Sequence, residues 1–225
     1  MYDLYIGDRL FSSWSLRGWL LLQKFNIPHK VHMTGLYSGT MAADLAPLAP
    51  ARFVPTLRTS HGTVVGETLA IAETLAEENP QAGIWPEDLA QRATARWLCS
   101  EMASGFAALR GECSMQLRHV WQGFEVSDAV QKDLDRLAQL WAHARKLSKT
   151  QTPWLFGAYS AADVFFAPVA ARIIGYGLPV SDEDRAYCEA LIAEPEMLAW
   201  REEALKISYD PMPYDLDLPH SDWPV

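Results

Sequence analysis

The sequence predicts a small α/β unit followed by an all-helical region. Short β-prone runs alternate with helical stretches over residues 1–80, and helical periodicity dominates afterwards. Between them, residues 79–88 (Asn-Pro-Gln-Ala-Gly-Ile-Trp-Pro-Glu-Asp) collect turn formers and read as a linker. The expected division is therefore 1–80 and 87–225. In order, Leu4-Tyr5-Ile6 between Asp3 and Gly7-Asp8 reads as a first strand, followed by a helix over Ser15–Phe25 that stops near Asn26-Ile27-Pro28. Lys30–Met33 is a second strand. Residues 37–51, with Gly39, Pro47 and Pro50, hold a short helix or an irregular segment. Phe53–Arg58 and Thr63–Gly66 form a hairpin around Ser60-His61-Gly62, and a helix starts at Thr68 and ends near Asn79-Pro80. The first two strands are then parallel through a crossover and the last two antiparallel.

Beyond the linker, Val130, Leu134, Leu137, Trp141 and Ala144 step by four, three, four and three residues, which marks one buried helical face. Ser160 and Asp163 have the spacing of a capping box, with Tyr159 and Val164 as its hydrophobic staple. Pro168 falls inside the ensuing helix and predicts a bend near Val164. From Ser208 onward, four prolines and four aspartates alternate with Tyr209, Tyr214 and Trp223, so an extended arm is expected, ordered where the rings find a surface.

Composition narrows the function classes. With 225 residues, 49% hydrophobic and 21% charged, the chain has an ordinary globular mix. The 28 acidic residues against 19 basic ones give a formal net charge of -9, which repels polyphosphates and argues against a nucleic-acid partner. The strongest apolar runs, Trp19–Leu22 and Val164–Ala171, fall short of the ~18–20 residues of a membrane span. No basic segment precedes an apolar stretch at the start, so no secretory signal is expected. Cys99, Cys113 and Cys188 include no C-x-x-C pair, which suits buried thiols in a reducing, cytoplasmic setting. His29 and His32, three apart in an extended stretch, point to opposite faces, and no H-E-x-x-H pattern exists, so no metal is expected.

Chemistry concentrates at the first strand-to-helix junction, Ser12-Ser13-Trp14-Ser15-Leu16-Arg17, where serines serve either as helix caps or as a site. Two further segments keep it company, Val54-Pro55-Thr56-Leu57 and Glu67-Thr68-Leu69-Ala70-Ile71. Together these resemble the glutathione transferase family over nearly the whole chain. The serine cluster is similar to the zeta-class Ser-Ser-Cys-Ser-x-Arg motif, Val54-Pro55 to the family's cis-proline turn, Glu67-Thr68 to its Glu/Asp-Ser-x-Ala-Ile motif, and Ser160–Val164 to its helical capping motif. The resemblance implies a thioredoxin-like N-terminal domain, an all-α C-terminal domain, glutathione as cosubstrate and a homodimer.

On that reading the Val54 backbone pairs with the cysteinyl unit of glutathione, Glu67 accepts the γ-glutamyl ammonium, and Thr68 with the first amides of its helix holds the α-carboxylate. Counting back five from Arg17 places the thiol-activating serine at Ser12. Ser13 is its rival and otherwise the helix cap or a glutathione contact. Trp14 stands where zeta and beta members carry cysteine, which counts against zeta-type isomerisation. No cysteine lies in residues 1–98, which disfavours glutathione–disulfide chemistry through a protein thiol. Ala51-Arg52 and Phe53 also depart from the usual residues beside glutathione. Met102, Phe106, Arg110 and Met115 either face an electrophile pocket or belong to the core, the core being favoured. The aromatic arm would fold over the cleft with Trp223 as lid. The leading expectation is a detoxifying transferase that adds the thiolate to a small hydrophobic electrophile. The alternatives are a glutathione-dependent isomerase or dehalogenase, and a non-catalytic relative that binds a ligand or a protein.

Overall fold

The computed structural model describes every residue except 210, 212, 213 and 215. Its first layer is a four-stranded sheet in the order β2-β1-β3-β4, from β1 (Tyr2–Ile6), β2 (His29–Met33), β3 (Thr56–Arg58) and β4 (Val64–Val65). β1 runs parallel to β2 and antiparallel to β3, and β4 is antiparallel to β3. Period-two alternation sets the register: Tyr2, Leu4 and Ile6 are buried, while Asp3 faces outward and pairs with His32 and Arg58 on the neighbouring strands. The β3–β4 turn is closed by the Thr59 hydroxyl, which accepts from the amides of His61 and Thr63, and Gly62 supplies the positive φ of 88°. α1 (Ser13–Gln23) connects β1 to β2, and α3 (Thr68–Glu78) follows β4. Between β2 and β3 lie only a short α2 (Met41–Leu45) and a 3₁₀ turn, Ala46–Leu48.

The helical region comprises α4 (Leu89–Ser104), α5 (Ala107–Glu112), α6 (Asp128–Leu147), α7 (Ala161–Gly175), α8 (Asp182–Ile192) and α9 (Pro195–Ala204). All fifteen residues of α7 are buried, as befits a helix apolar on every side. It packs against α1, α4 and α8 and so lies between the sheet domain and the outer helices. α7 continues through Pro168 without interruption. The five-residue stripe predicted on α6 is buried throughout, and all three cysteines are buried and free. Among the described residues no helix is long and apolar enough to cross a membrane.

Three expectations are corrected. α1 begins at Ser13, two residues before the predicted start, because Ser12 is the residue whose side chain closes the first turn. The helical region is also not wholly helical: β5 (His119–Trp121) pairs antiparallel with β6 (His220–Asp222) near the C-terminus. This clip holds Trp223 in a buried position over the Arg201 guanidinium and against the end of α7 at Gly175. Trp223 is therefore an anchor of the arm and not a lid. Four residues of that arm, 210, 212, 213 and 215, lie outside the described residues.

Candidate active site

The loop after β1, the N-termini of α1 and α3, and the Val54–Pro55 turn converge on one cavity of about 800 Å³. That size is in the usual range for small-molecule sites. Ser12, Ser13, Val54, Pro55, Glu67 and Thr68 all line it, so the residues singled out in the sequence border the same cavity. Arg110 and Met115 line it too, whereas Met102 and Phe106 belong to the core.

At the head of α1 the hydroxyls divide their work. Ser12 is the N-cap: its Oγ accepts from the Ser15 amide at 3.3 Å and donates to Ser15 Oγ at 2.8 Å. Ser15 Oγ in turn accepts from the Gly7 amide at 2.9 Å, which ties the end of β1 to the helix. Ser13, the first helical residue, is bonded differently. Its Oγ accepts from Arg172 Nη2 at 3.4 Å, and its own proton has no acceptor among the described residues. The cap expected at Ser13 is thus at Ser12, one residue earlier.

The Val54–Pro55 peptide is cis, as the sequence suggested, and Ala49–Pro50 is cis as well. Nothing among the described residues bonds to the Val54 amide or carbonyl, which leaves both available to an extended ligand. The turn is fixed from below by α1. A Cβ at Gly18 would lie 2.6 Å from Pro55 Cβ, so only glycine permits this approach. Gly18→Ala is expected to destabilise the fold by about 1–3 kcal/mol through overpacking, in spite of alanine's better helix propensity. Displacement of Pro55 should weaken ligand binding as well; a chemical melt and a glutathione titration on the same variant check both.

At the head of α3, Glu67 has φ 61° and its side chain makes no capping bond, so the carboxylate is exposed at the cavity rim. Thr68 behind it is buried, and its Oγ1 has no partner among the described residues. A buried hydroxyl left unpaired beside free helix amides is a place for an anionic acceptor group.

Other lining residues were not legible. Arg172, Tyr37 and Tyr214 also line the cavity; the Tyr37 and Tyr214 hydroxyls bond to each other, and Phe11 packs against both rings. Tyr214, of the same arm as Trp223, lines the cavity, and Trp223 does not. Arg172 could have been noticed as the lone charge following the apolar run Val164–Ala171. Its guanidinium is buried, donates to the Pro168 carbonyl at 3.1 Å, and is pushed down to about 10 by burial and then by Arg110, so it remains a cation at neutral pH.

Residues 11–78 match the family model described as glutathione S-transferase, N-terminal domain. Among solved structures, the chain resembles a glutathione transferase homolog from Burkholderia gl BGR1 with bound glutathione, with a TM-score of 0.67 and 24% identity over 92% of this chain and 99% of that one. An unclassified glutathione S-transferase from Bombyx mori superposes with a TM-score of 0.69, at 20% identity over 91% of this chain and 94% of the other. The thioredoxin-like sheet followed by a helical region is therefore the glutathione transferase fold. A curated relative, named "Probable maleylacetoacetate isomerase" from Caenorhabditis elegans, is 34% identical over 114 residues, 51% of this chain and 52% of that protein. The match thus spans about half the length of that relative.

Proposed function

We propose that this glutathione transferase relative binds glutathione in the described cavity, ionises its thiol, and adds the thiolate to a small electrophile. The observation that carries the reading is the buried, unpaired Thr68 hydroxyl at the mouth of α3, flanked by exposed Glu67 and facing a Val54 backbone with free bonding groups. The γ-glutamyl α-carboxylate takes the Thr68 hydroxyl and the α3 amides. Its ammonium takes Glu67, and the cysteinyl unit takes Val54 beside Pro55. Residues 1–80 then form the glutathione-binding domain, and 87–225 the helical domain that completes the cavity.

The thiol lies over the start of α1, where the helix dipole and a serine hydroxyl favour the anion. The hydrogen bonding supports Ser13 as donor, with Ser12 as the cap that holds it, and so reverses the order read from the sequence. The thiol proton leaves to solvent, the sulfur forms its bond to the electrophilic carbon, and the leaving group departs with the electron pair. Buried reduced cysteines agree with a cytoplasmic detoxifying role. A homodimer is the expected assembly, and Leu89 and Trp97, exposed on α4, are apolar surface open to a second copy.

A second reading, in which glutathione adds to a double bond and is eliminated after rotation, is favoured by the similarity to the isomerase from Caenorhabditis elegans. Trp14 in place of the zeta-class cysteine weighs against it. Identification of the product as conjugate or isomer separates the two. The binding reading is tested by calorimetric titration with glutathione beside cysteinylglycine, which lacks the γ-glutamyl unit. Glutathione should bind at least tenfold more tightly, and Glu67→Ala should weaken it about tenfold through the lost ammonium contact. Equal affinities for the two peptides count against the assigned pocket.

A further inference from the structure

Among the described residues, four side chains with formal charge line the cavity: Arg52, Glu67, Arg110 and Arg172. Glu67 is the only acid among them, and the proposed function commits it to the glutathione ammonium. The wall beside Ser13 is therefore cationic in a protein of net charge -9. Arg172 and Arg110 stand there, with Arg17 behind them, its guanidinium stacked over Trp14 at 4.5 Å; Arg110 stacks on the same ring at 5.0 Å. None of the three takes part in an ion pair among the described residues. Their hydrogen bonds go to neutral oxygens only: Arg17 to the carbonyls of Phe165 and Ser13, Arg110 to those of Ala103 and Gly105, Arg172 to Pro168 and Ser13 Oγ. Arg172, 5% exposed, keeps an unpaired Nε, and Arg17, 1% exposed, an unpaired Nη2. Buried cations with open donors and no counter-charge are costly until an anion arrives.

We propose that Arg172 and Arg110 form an anion subsite that holds a carboxylate of the electrophile, so that the acceptor substrates are small carboxylic acids. The inference rests on the glutathione reading, which supplies the peptide on the other wall. The Ser13 hydroxyl, 3.4 Å from Arg172 Nη2, fixes the distance between the two halves: sulfur over Ser13, carboxylate one guanidinium away. Arg17 adds field but does not line the cavity, so it acts on the subsite from behind.

The test compares S-(carboxymethyl)glutathione with S-(carbamoylmethyl)glutathione, which differ by a carboxylate against a neutral amide of nearly the same shape. Calorimetry should show the carboxylate binding at least tenfold more tightly, with the advantage shrinking as salt is raised. Arg172→Gln and Arg110→Gln should each reduce the ratio to about threefold or less while unmodified glutathione still binds, which also shows that the variants are folded. Arg110 is only half-buried, so its variant remains informative if the change at Arg172 unfolds the chain. Equal affinity of the two conjugates for the native protein overturns the subsite, and so does a preference that survives both substitutions. A second arm, without peptide, measures the melting temperature in succinate and in succinamide. Succinate should stabilise the native protein by several degrees and Arg110→Gln by much less. If succinate discriminates but glutathione fails to bind, the glutathione reading falls and the anion site stands. If glutathione binds and neither carboxylate discriminates, the anion site alone falls.

Discussion

Replacement of Asp163 by alanine is expected to lower the unfolding free energy by about 3–5 kcal/mol, the range for breaking a buried charged network. The carboxylate is fully buried at the start of α7 and accepts from four donors. These are the Ser160 amide at 2.9 Å, the Ser160 hydroxyl at 3.1 Å, the Tyr187 hydroxyl at 3.0 Å and the Leu155 amide at 3.3 Å. Alanine leaves all four without their partner in a fully buried region, and each orphaned donor costs of order 1–3 kcal/mol before relaxation. The effect reaches the site because α7 also carries Arg172 to the cavity.

The pH dependence has a definite sign. Burial pushes the Asp163 carboxyl up to about 6 from the ordinary 3.8, and the hydrogen bonds only partly oppose this. Between those two values the folded chain holds a proton that the unfolded chain has lost, so this residue's contribution to stability is full below pH ~4 and declines as pH rises to ~6. Urea melts of the native protein and Asp163→Asn should therefore show a larger stability gap at pH 4.5 than at pH 7. A gap that widens with rising pH would mean that the donors hold the carboxylate ionised against its burial.

What the sequence disclosed follows from the range of the interactions. The box at Ser160 and Asp163 and the closing of the β3–β4 turn span three or four residues, and their chemistry is visible in a short window. The α6 stripe needs only one helix and one buried side. The wall proposed for glutathione was legible because each of its parts, Ser12–Ser13, Val54–Pro55 and Glu67–Thr68, is a local motif with its own spacing. The remaining wall depends on contacts between distant residues. Arg172 reaches Ser13 across 159 positions, and Tyr37 meets Tyr214 across 177, with nothing in either neighbourhood to announce the other. β6 is His-Ser-Asp, a fully exposed triplet without apolar alternation, and only its pairing with His119–Trp121 makes it a strand. Within the serine cluster, composition gave two neighbouring candidates. Their division of labour became apparent only when the bond from Ser12 to Ser15 and the approach of Arg172 to Ser13 were known.

Ser13→Ala is accordingly expected to lower kcat toward a chlorodinitrobenzene electrophile by about 100-fold, the usual consequence of removing one preorganised donor to a developing or bound anion. The KM for glutathione should change little, since in the proposed binding mode Thr68, Glu67 and Val54 hold the peptide. The loss should appear as a shift of the acid limb of the kcat profile to higher pH by about one to two units, because the thiol loses a donor specific to its ionised form. The shift stays finite, since the α1 amides and the Arg172 guanidinium remain. Ser12→Ala should behave differently. It removes the cap and the bond to Ser15, which costs about 1 kcal/mol of stability, and it leaves the thiol ionisation within a few tenths of a unit. Ultraviolet absorbance of bound thiolate, followed against pH for both variants, separates the two roles without a turnover assay. If Ser12→Ala moves that titration and Ser13→Ala does not, Ser12 exchanges its bond to Ser15 for one to sulfur, and the guanidinium beside Ser13 then serves the electrophile alone.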